Sequence, residues 1–163
     1  MGWAITLLII GVIVVAVVLA VNKFNKTKQL KQDGKIIQRQ ASFWEYKEYF
    51  TTDATYEQIK MAVRNNSFDG CPVTIRFDYN RTQSIFFQSG SSWTASFDCL
   101  ESQSDKNYFR FHFINWEARR GVPYGVDAMN VLETTIEKIL LAIDYDTLVE
   151  NRRMEIHTKT KVF

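Results

Sequence analysis

The segment that decides the fold runs from Val73 to Trp116 and reads VTIRFDYNRTQSIFFQSGSSWTASFDCLESQSDKNYFRFHFINW. It contains four stretches of alternating apolar and polar residues. Alternation predicts strands with one apolar face, because successive side chains of a strand point to opposite faces of a sheet. Short polar turns at residues 80–81, 89–91 and 103–106 separate the stretches, which predicts an antiparallel meander. The apolar positions are Val73, Ile75, Phe77, Tyr79, Ile85, Phe87, Trp93, Ala95, Phe97, Cys99, Phe109, Phe111 and Phe113.

The meander predicts two free thiols. Cys71 lies just before the first strand and Cys99 ends the third, and these two strands run in the same direction. At about 3.3 Å per residue the two cysteines are roughly 25 Å apart. A disulfide needs Cα atoms within about 7 Å, so none is expected, as is typical of a reducing compartment.

A long helix is predicted after this segment. The loop from Gly121 to Gly125 precedes an apolar stripe at helical spacing, which continues to Ile143. A sheet with one apolar face needs a cover, and we expect this helix to lie across it. The tail from Met154 to Val162 alternates again, so it is either a last strand or a segment off the sheet. The stripe consists of Met129, Leu132, Ile136, Ile139, Leu140 and Ile143.

Two further elements are predicted before the meander. Thr55 and Gln58 have the spacing of a capping box, which predicts a helix over Tyr56–Asn65. Residues 42–50 are aromatic-rich and partly alternating; we interpret them as a strand, with a short amphipathic helix as the alternative. The fold class is therefore α+β, with the order β-α-β-β-β-β-α-(β) and an antiparallel sheet of four to six strands. The strand's predicted shared face holds Trp44, Tyr46 and Phe50.

By element order alone, residues 42–143 resemble the helix-grip layout, in which a curved sheet grasps a C-terminal helix. Helix-grip proteins often hold apolar ligands between sheet and helix, so the resemblance implies a possible ligand cavity. It assigns no residue a role, because no motif carries it. Such a cavity would be lined by Phe109, Phe111, Trp93 and Met129.

The segment from Trp3 to Val21 predicts a transmembrane anchor. It is 19 residues without a charge, an amide or a proline. As a helix it would be roughly 28 Å long, close to the thickness of a bilayer's hydrocarbon core. A cleaved signal peptide is the alternative, but no basic residue precedes the run, which is also longer than a typical signal sequence.

The residues after this segment predict the orientation of the anchor. The basic residues Lys23, Lys26, Lys28, Lys31, Lys35 and Arg39 stand against a single acid, Asp33. Basic residues beside a membrane span favour the cytoplasmic side, so the N-terminus is predicted outside and the following domain inside. Lys23, Lys26, Lys28 and Lys31 are predicted to contact lipid headgroups, although a plain stop-transfer flank explains them too. An anchored domain of the same fold outside the cytoplasm stays as an alternative.

These boundaries give an anchor at 1–21, a basic tether at 22–40 and one domain at 41–163. The chain's formal charge is +2, and the tether's six bases and one acid contribute +5, which leaves 2 − 5 = −3 for the domain. An acidic domain argues against nucleic acid as a partner, because proteins that bind nucleic acid usually present a basic face.

No catalytic, metal or cofactor motif is present. Two histidines and two separated cysteines give no metal-ligand spacing, and phosphate-binding glycine loops and nucleophile elbows are absent. The remaining candidate is the even-numbered face of the fourth strand, with Arg110, His112, Ile114 and Trp116, as a partner or ligand surface. A solvated sheet face is the simpler interpretation. The sequence therefore predicts a non-enzymatic module that is integral to the membrane by a single pass and binds a protein partner, with apolar-ligand binding as the alternative.

Overall fold

The computed structural model describes residues 2–78, 83–100 and 105–154, without the side chains of residues 2–8 and 10. The predicted turn at residues 80–81, part of the turn at 103–106 and the tail from residue 155 lie outside the described residues. The chain forms two compact units, Met1–Ile37 and Gln38–Phe163.

The first unit contains the helix α1, Gly2–Gln32. It ends in a Schellman motif, in which the amide of Lys35 donates to the carbonyl of Leu30 at 2.9 Å and the amide of Gly34 to that of Lys31 at 3.0 Å. Gly34 has a φ of 62°, a left-handed conformation that glycine adopts without steric cost. The helix therefore extends about three turns past the predicted anchor before this local signal stops it.

The predicted anchor lies in α1, and its described apolar side chains, including Val12 and Val15, are exposed. Over the residues that the structure describes, none of the helices combines the length and the apolar character needed to cross a bilayer. The prediction of a transmembrane helix is therefore not supported by the described structure.

The second unit is an α+β domain built on one antiparallel sheet. Its elements are a short 3-10 helix Phe43–Glu45, β1 Tyr46–Thr52, α2 Tyr56–Asn65, β2 Thr74–Asp78, β3 Ser84–Ser89, β4 Trp93–Cys99, β5 Asn107–Trp116, β6 Ala118–Arg119, β7 Val122–Pro123, α3 Val126–Ile143 and β8 Leu148–Arg153. The six-stranded sheet has the order β2-β3-β4-β5-β1-β8, and β6 pairs with β7 in a separate hairpin. The predicted fold class, an antiparallel sheet with a C-terminal helix, is confirmed.

Local sequence signals account for the elements that agree with the prediction. Thr55 accepts a hydrogen bond from the amide of Gln58 and Gln58 reaches back to Thr55, so the capping box that starts α2 is confirmed. The helix α3 occupies the predicted range, and β2 to β5 pair consecutively as a meander. Cys71 and Cys99 are free, as the meander predicted.

The core lies between the inner face of the sheet and α3. Aromatic side chains of the strands fill it, with ring centroids 5.3 Å apart for Phe97 and Phe109 and 5.7 Å apart for Trp93 and Phe113. Fully buried aliphatic side chains of α3 meet them. The fully buried members of α3 are Met129, Leu132, Ile136 and Leu140.

The strand predicted over residues 42–50 was wrong in detail, and the alternating tail from residue 155 lies outside the described residues. Residues 43–45 form a 3-10 helix, so the first strand begins at Tyr46, and its buried residues are Glu48, Phe50 and Thr52. The last described strand is β8, which pairs with β1 and lies before most of the alternating tail. Alternation alone did not locate either strand, because neither carries a purely apolar face.

We expect Leu132→Asp to abolish cooperative thermal unfolding of the chain, because it places an unpaired charge at a position that is 0% exposed. The matched control is Leu141→Asp on the same helix, where the side chain is 41% exposed and the melting transition should persist. Circular dichroism melting of both variants checks the prediction. A Leu132→Asp chain that melts like wild type would show that α3 does not form the core.

Candidate functional site

A buried charge cluster joins the start of the second unit to α3. Its centre is Arg39, whose guanidinium donates to both carboxylate oxygens of Glu137 at 2.7 and 3.1 Å. The same group lies 3.2 Å from Glu133 and 3.7 Å from Glu48 on β1, in ion-pair rather than hydrogen-bond geometry. Arg39 was predicted to belong to the basic tether. In the structure its side chain is only 8% exposed and it belongs to the domain.

Three carboxyl groups around one guanidinium cannot all be charged cheaply in a buried site. Burial, reinforced by the neighbouring Glu133 and Glu137, raises the pKa of Glu48 from 4.5 to about 10. Burial and the charge of Glu137, opposed by Arg39, raise the pKa of Glu133 from 4.5 to about 8. Both groups are therefore mainly protonated at neutral pH, and among the three acids Arg39 donates its hydrogen bonds to Glu137.

This cluster is structural rather than catalytic. Glu48 is 1% exposed and Glu133 4%, so no substrate reaches either group in this conformation. The cluster instead holds residue 39 against α3 and β1, assisted by hydrogen bonds from Arg39 to Asn130 and Thr134. The acidic character of one buried face of α3 was the only sequence signal for it.

The outer face of the sheet, opposite α3, contains the predicted site. Asp98 on β4 accepts hydrogen bonds from Arg110 at 2.7 and 3.2 Å, from Ser84 at 3.0 Å, and from Ser96. Burial alone would raise the pKa of Asp98, but these hydrogen bonds hold it below its usual value. Asp98 was not predicted as a site residue, although it lies on the polar side of a clean alternating strand.

His112 lies beside this network without joining it. Its Nδ1 is 3.7 Å from a carboxylate oxygen of Asp98 and has no hydrogen-bond partner among the described residues. Burial lowers the pKa of His112 against the opposing effect of Asp98, and Arg110 and Lys47 lower it further. His112 is therefore mainly uncharged at neutral pH.

The residue types Ser96, Asp98 and His112 meet here, but their order is not that of a catalytic triad. The serine hydroxyl donates directly to the carboxylate, whereas nucleophile activation needs the histidine between the two. Ser96 is also 2% exposed.

Cys71 supplies no nucleophile either, because burial raises the pKa of its thiol to about 12. Among the described residues, no group of acidic, histidine or cysteine side chains has metal-site geometry.

A β-bulge separates Trp116 from the rest of the predicted site. Thr94 pairs with Asn115 and Ala95 with Phe113, so Ile114 is the extra residue of the bulge. After the bulge Trp116 lies opposite Trp93, which is buried on the inner face. The structure thus brings Arg110 and His112 together, leaves Ile114 47% exposed at the bulge, and moves Trp116 off their face. The prediction of one shared face was wrong because it assumed unbroken alternation.

Two rows of side chains cross the outer face in register. The first row carries cations and no acid, and consists of Arg76, Phe86, Ser96, His112, Lys47 and Arg152. The second row is mainly acidic, and consists of Asp78, Ser84, Asp98, Arg110, Tyr49 and Glu150. We call them the basic row and the acidic row. Two arginines of the basic row stack on aromatic rings of this face. Arg76 lies 5.2 Å from the centre of the Phe86 ring, and Arg152 lies 5.0 Å from the centre of the Tyr49 ring.

The predicted lipid-contact residues lie in the other unit. Lys23, Lys26, Lys28 and Lys31 are all on α1 and all exposed. Their interaction with headgroups stays a prediction.

Comparison with protein-family models, with curated proteins and with solved structures found no match.

We expect Glu48→Gln and Glu133→Gln to stabilise the protein at alkaline pH. Both carboxyls have a folded-state pKa above the unfolded value of 4.5, so their contribution to stability is complete below that value and is lost as pH rises towards about 8 for Glu133 and about 10 for Glu48. The glutamine variants should lose less stability than wild type between pH 5 and pH 8, because each carboxyl that stays protonated only in the folded state costs up to about 1.4 kcal/mol per pH unit over this range.

Denaturant unfolding at the two pH values measures this difference. The matched control is Glu137→Gln, which removes the bidentate partner of Arg39 and should destabilise the protein at both pH values. Equal pH slopes for wild type and both glutamine variants would contradict the assignment of protons in the cluster.

Proposed function

We propose that the protein is a non-enzymatic interaction module, tethered to a membrane by its N-terminal helix, whose outer sheet face binds a protein partner at the cytoplasmic surface. The basic row is the observation that carries the proposal. It places Arg76, Lys47 and Arg152 on one line across an accessible face, with no acid in that line.

The inner face of the sheet has little accessible surface for a ligand. Phe109, Phe111, Trp93 and Met129, the proposed lining of an apolar cavity, are 0–1% exposed. The rings of this layer contact one another, with Phe111 and Phe113 5.3 Å apart. Binding of an apolar ligand between sheet and helix is therefore the weaker proposal, because the ligand would have to displace packed side chains.

The two rows together favour a protein over nucleic acid. A phosphate backbone would be attracted by the basic row. It would be repelled by the three carboxylates of the acidic row, which lies two residues further along the strands. Asp78, Asp98 and Glu150 supply these negative charges. A protein surface can place carboxylates opposite the basic row and basic side chains opposite the acidic row. On the outer face of this chain, the Asp98–Arg110 ion pair holds two side chains of the acidic row in place.

The membrane tether rests on sequence and exposure. The run Trp3–Val21 has no charge, and its large described apolar residues, among them Ile13, Val17 and Leu19, are at least half exposed on the helix surface. An isolated apolar helix in water leaves this surface uncovered, whereas lipid covers it.

We expect the wild-type chain to stay in the membrane pellet during alkaline carbonate extraction. Replacing Val12 and Val15 together by Arg should move it to the soluble fraction, because each central arginine costs about 3 kcal/mol in a bilayer. Phe24→Arg, in the basic flank, is the matched control and should remain in the pellet. Recovery of wild type in the soluble fraction would contradict the tether.

A reporter fused after Phe163 tests the orientation, and should be active only in the cytoplasm. Activity only on the other side of the membrane would instead support the alternative of an anchored extracytoplasmic domain.

A photo-reactive amino acid at Phe86 should capture a protein in native membranes, because this side chain lies half-buried in the basic row. The same amino acid at Met61, which is 50% exposed on α2, is the control and should capture less. Adding Lys47→Glu to the Phe86 probe should reduce the adduct about tenfold by placing an acid in the row. Equal capture from both positions, or an adduct that ignores Lys47→Glu, would contradict this binding surface.

A further inference from the structure

The outermost described strand of the sheet, β8, is exposed along its whole length. One of its edges pairs with β1, and the other faces no strand among the described residues. All six of its residues, Leu148–Arg153, are exposed, including Leu148 at 69% and Val149 at 41%. An exposed edge of this kind is a template for a further strand.

The charges along β8 restrict which strand can pair there. Glu150 lies opposite Tyr49 and Arg152 opposite Lys47, so both side chains are on the outer face. They form an ion pair with each other at 2.8 Å while 64% and 62% exposed, and such a solvated pair exchanges partners at little cost. A strand that joins this edge must offer an acid and a base at matching positions, because like charges directly opposite each other destabilise a sheet.

A second copy of β8 meets this condition in one register. Two-fold antiparallel pairing that keeps the outer faces together places even-numbered residues opposite even-numbered residues. Pairing Glu150 with Glu150 or Arg152 with Arg152 brings like charges together. The intermediate register pairs Glu150 with Arg152 of the second copy and Arg152 with Glu150 of the second copy. Asn151 then lies on the two-fold axis.

We propose that two copies of this chain associate through β8, joining their sheets edge to edge with Glu150 of each copy opposite Arg152 of the other. The charged edge excludes strands that lack the complementary pair, so the same residues that discourage general edge pairing select a second copy. In this register Leu148 lies opposite Met154 of the second copy and adds apolar contact at both ends of the interface.

A charge swap tests the pairing directly. Glu150→Arg gives two like-charged pairs in a self-dimer, and so does Arg152→Glu, so each variant alone should lose association about tenfold. A mixture of the two variants restores both opposite-charge pairs, and the double variant Glu150→Arg/Arg152→Glu restores them within one chain. Glu57→Arg on α2 makes the same charge change elsewhere and should leave association unchanged.

The measurement is co-purification of two differently tagged copies of the whole chain from the same membranes. Recovery of association in the mixture and in the double variant is the expected result. Variants that associate like wild type, or a mixture that stays as weak as its components, would overturn the proposal.

A cysteine at the axis gives an independent readout. Cα atoms directly opposite in an antiparallel pair are about 4.5–5.5 Å apart, within disulfide range. Asn151→Cys should therefore yield a covalent dimer under mild oxidation. Glu57→Cys is the control for random collision, and the wild-type chain controls for Cys71 and Cys99. Dimer yield from Asn151→Cys no higher than from Glu57→Cys would refute the register.

Discussion

The structure depends on burial of one face of the sheet against α3. Strands β1, β3, β4 and β5 each contribute fully buried side chains to this layer, and the apolar stripe of α3 closes it. The protein's own side chains fill this interface. Burial of these side chains therefore stabilises the fold, and a ligand would have to displace them. This packing does not use the opposite face of the sheet or the edge of β8 that faces no described strand, and the two proposals concern these surfaces.

The Arg39 cluster is the exception to that apolar layer. A buried ion pair often costs as much in desolvation as it returns in attraction, and here three carboxyl groups compete for one guanidinium. Two of them avoid the cost by holding protons, which makes the stability of the domain depend on pH. In return the cluster fixes the position of Arg39, which hydrogen-bonds to Glu137, Asn130 and Thr134 of α3 and lies near Glu48 of β1.

Much of the fold could be predicted from the sequence because its signals are local. Thr55 and Gln58 start α2, and the alternation of residues 93–99 gives β4 with the bounds that the structure shows. The missed features depend on partners distant in the chain. The bulge at Ile114 is set by the pairing of β5 with β4, and Glu48 lies in a buried cluster with Arg39, which is also 3.2 Å from Glu133 of α3. Of the predicted site, Arg110 and His112 do meet, whereas the role of Asp98 and the departure of Trp116 required the strand register.

The central claim is that the inner face is closed and the outer face is the surface for recognition. Hydroxyl-radical footprinting of the whole chain tests it most directly, since neighbouring residues report on opposite faces. In the purified protein, Tyr49 and Phe86 should be labelled while Phe50 and Phe87, which are 1% and 0% exposed, should not. In native membranes the labelling of Tyr49 and Phe86 should fall. Equal labelling of both faces, or outer-face labelling that is unchanged in native membranes, would contradict the account.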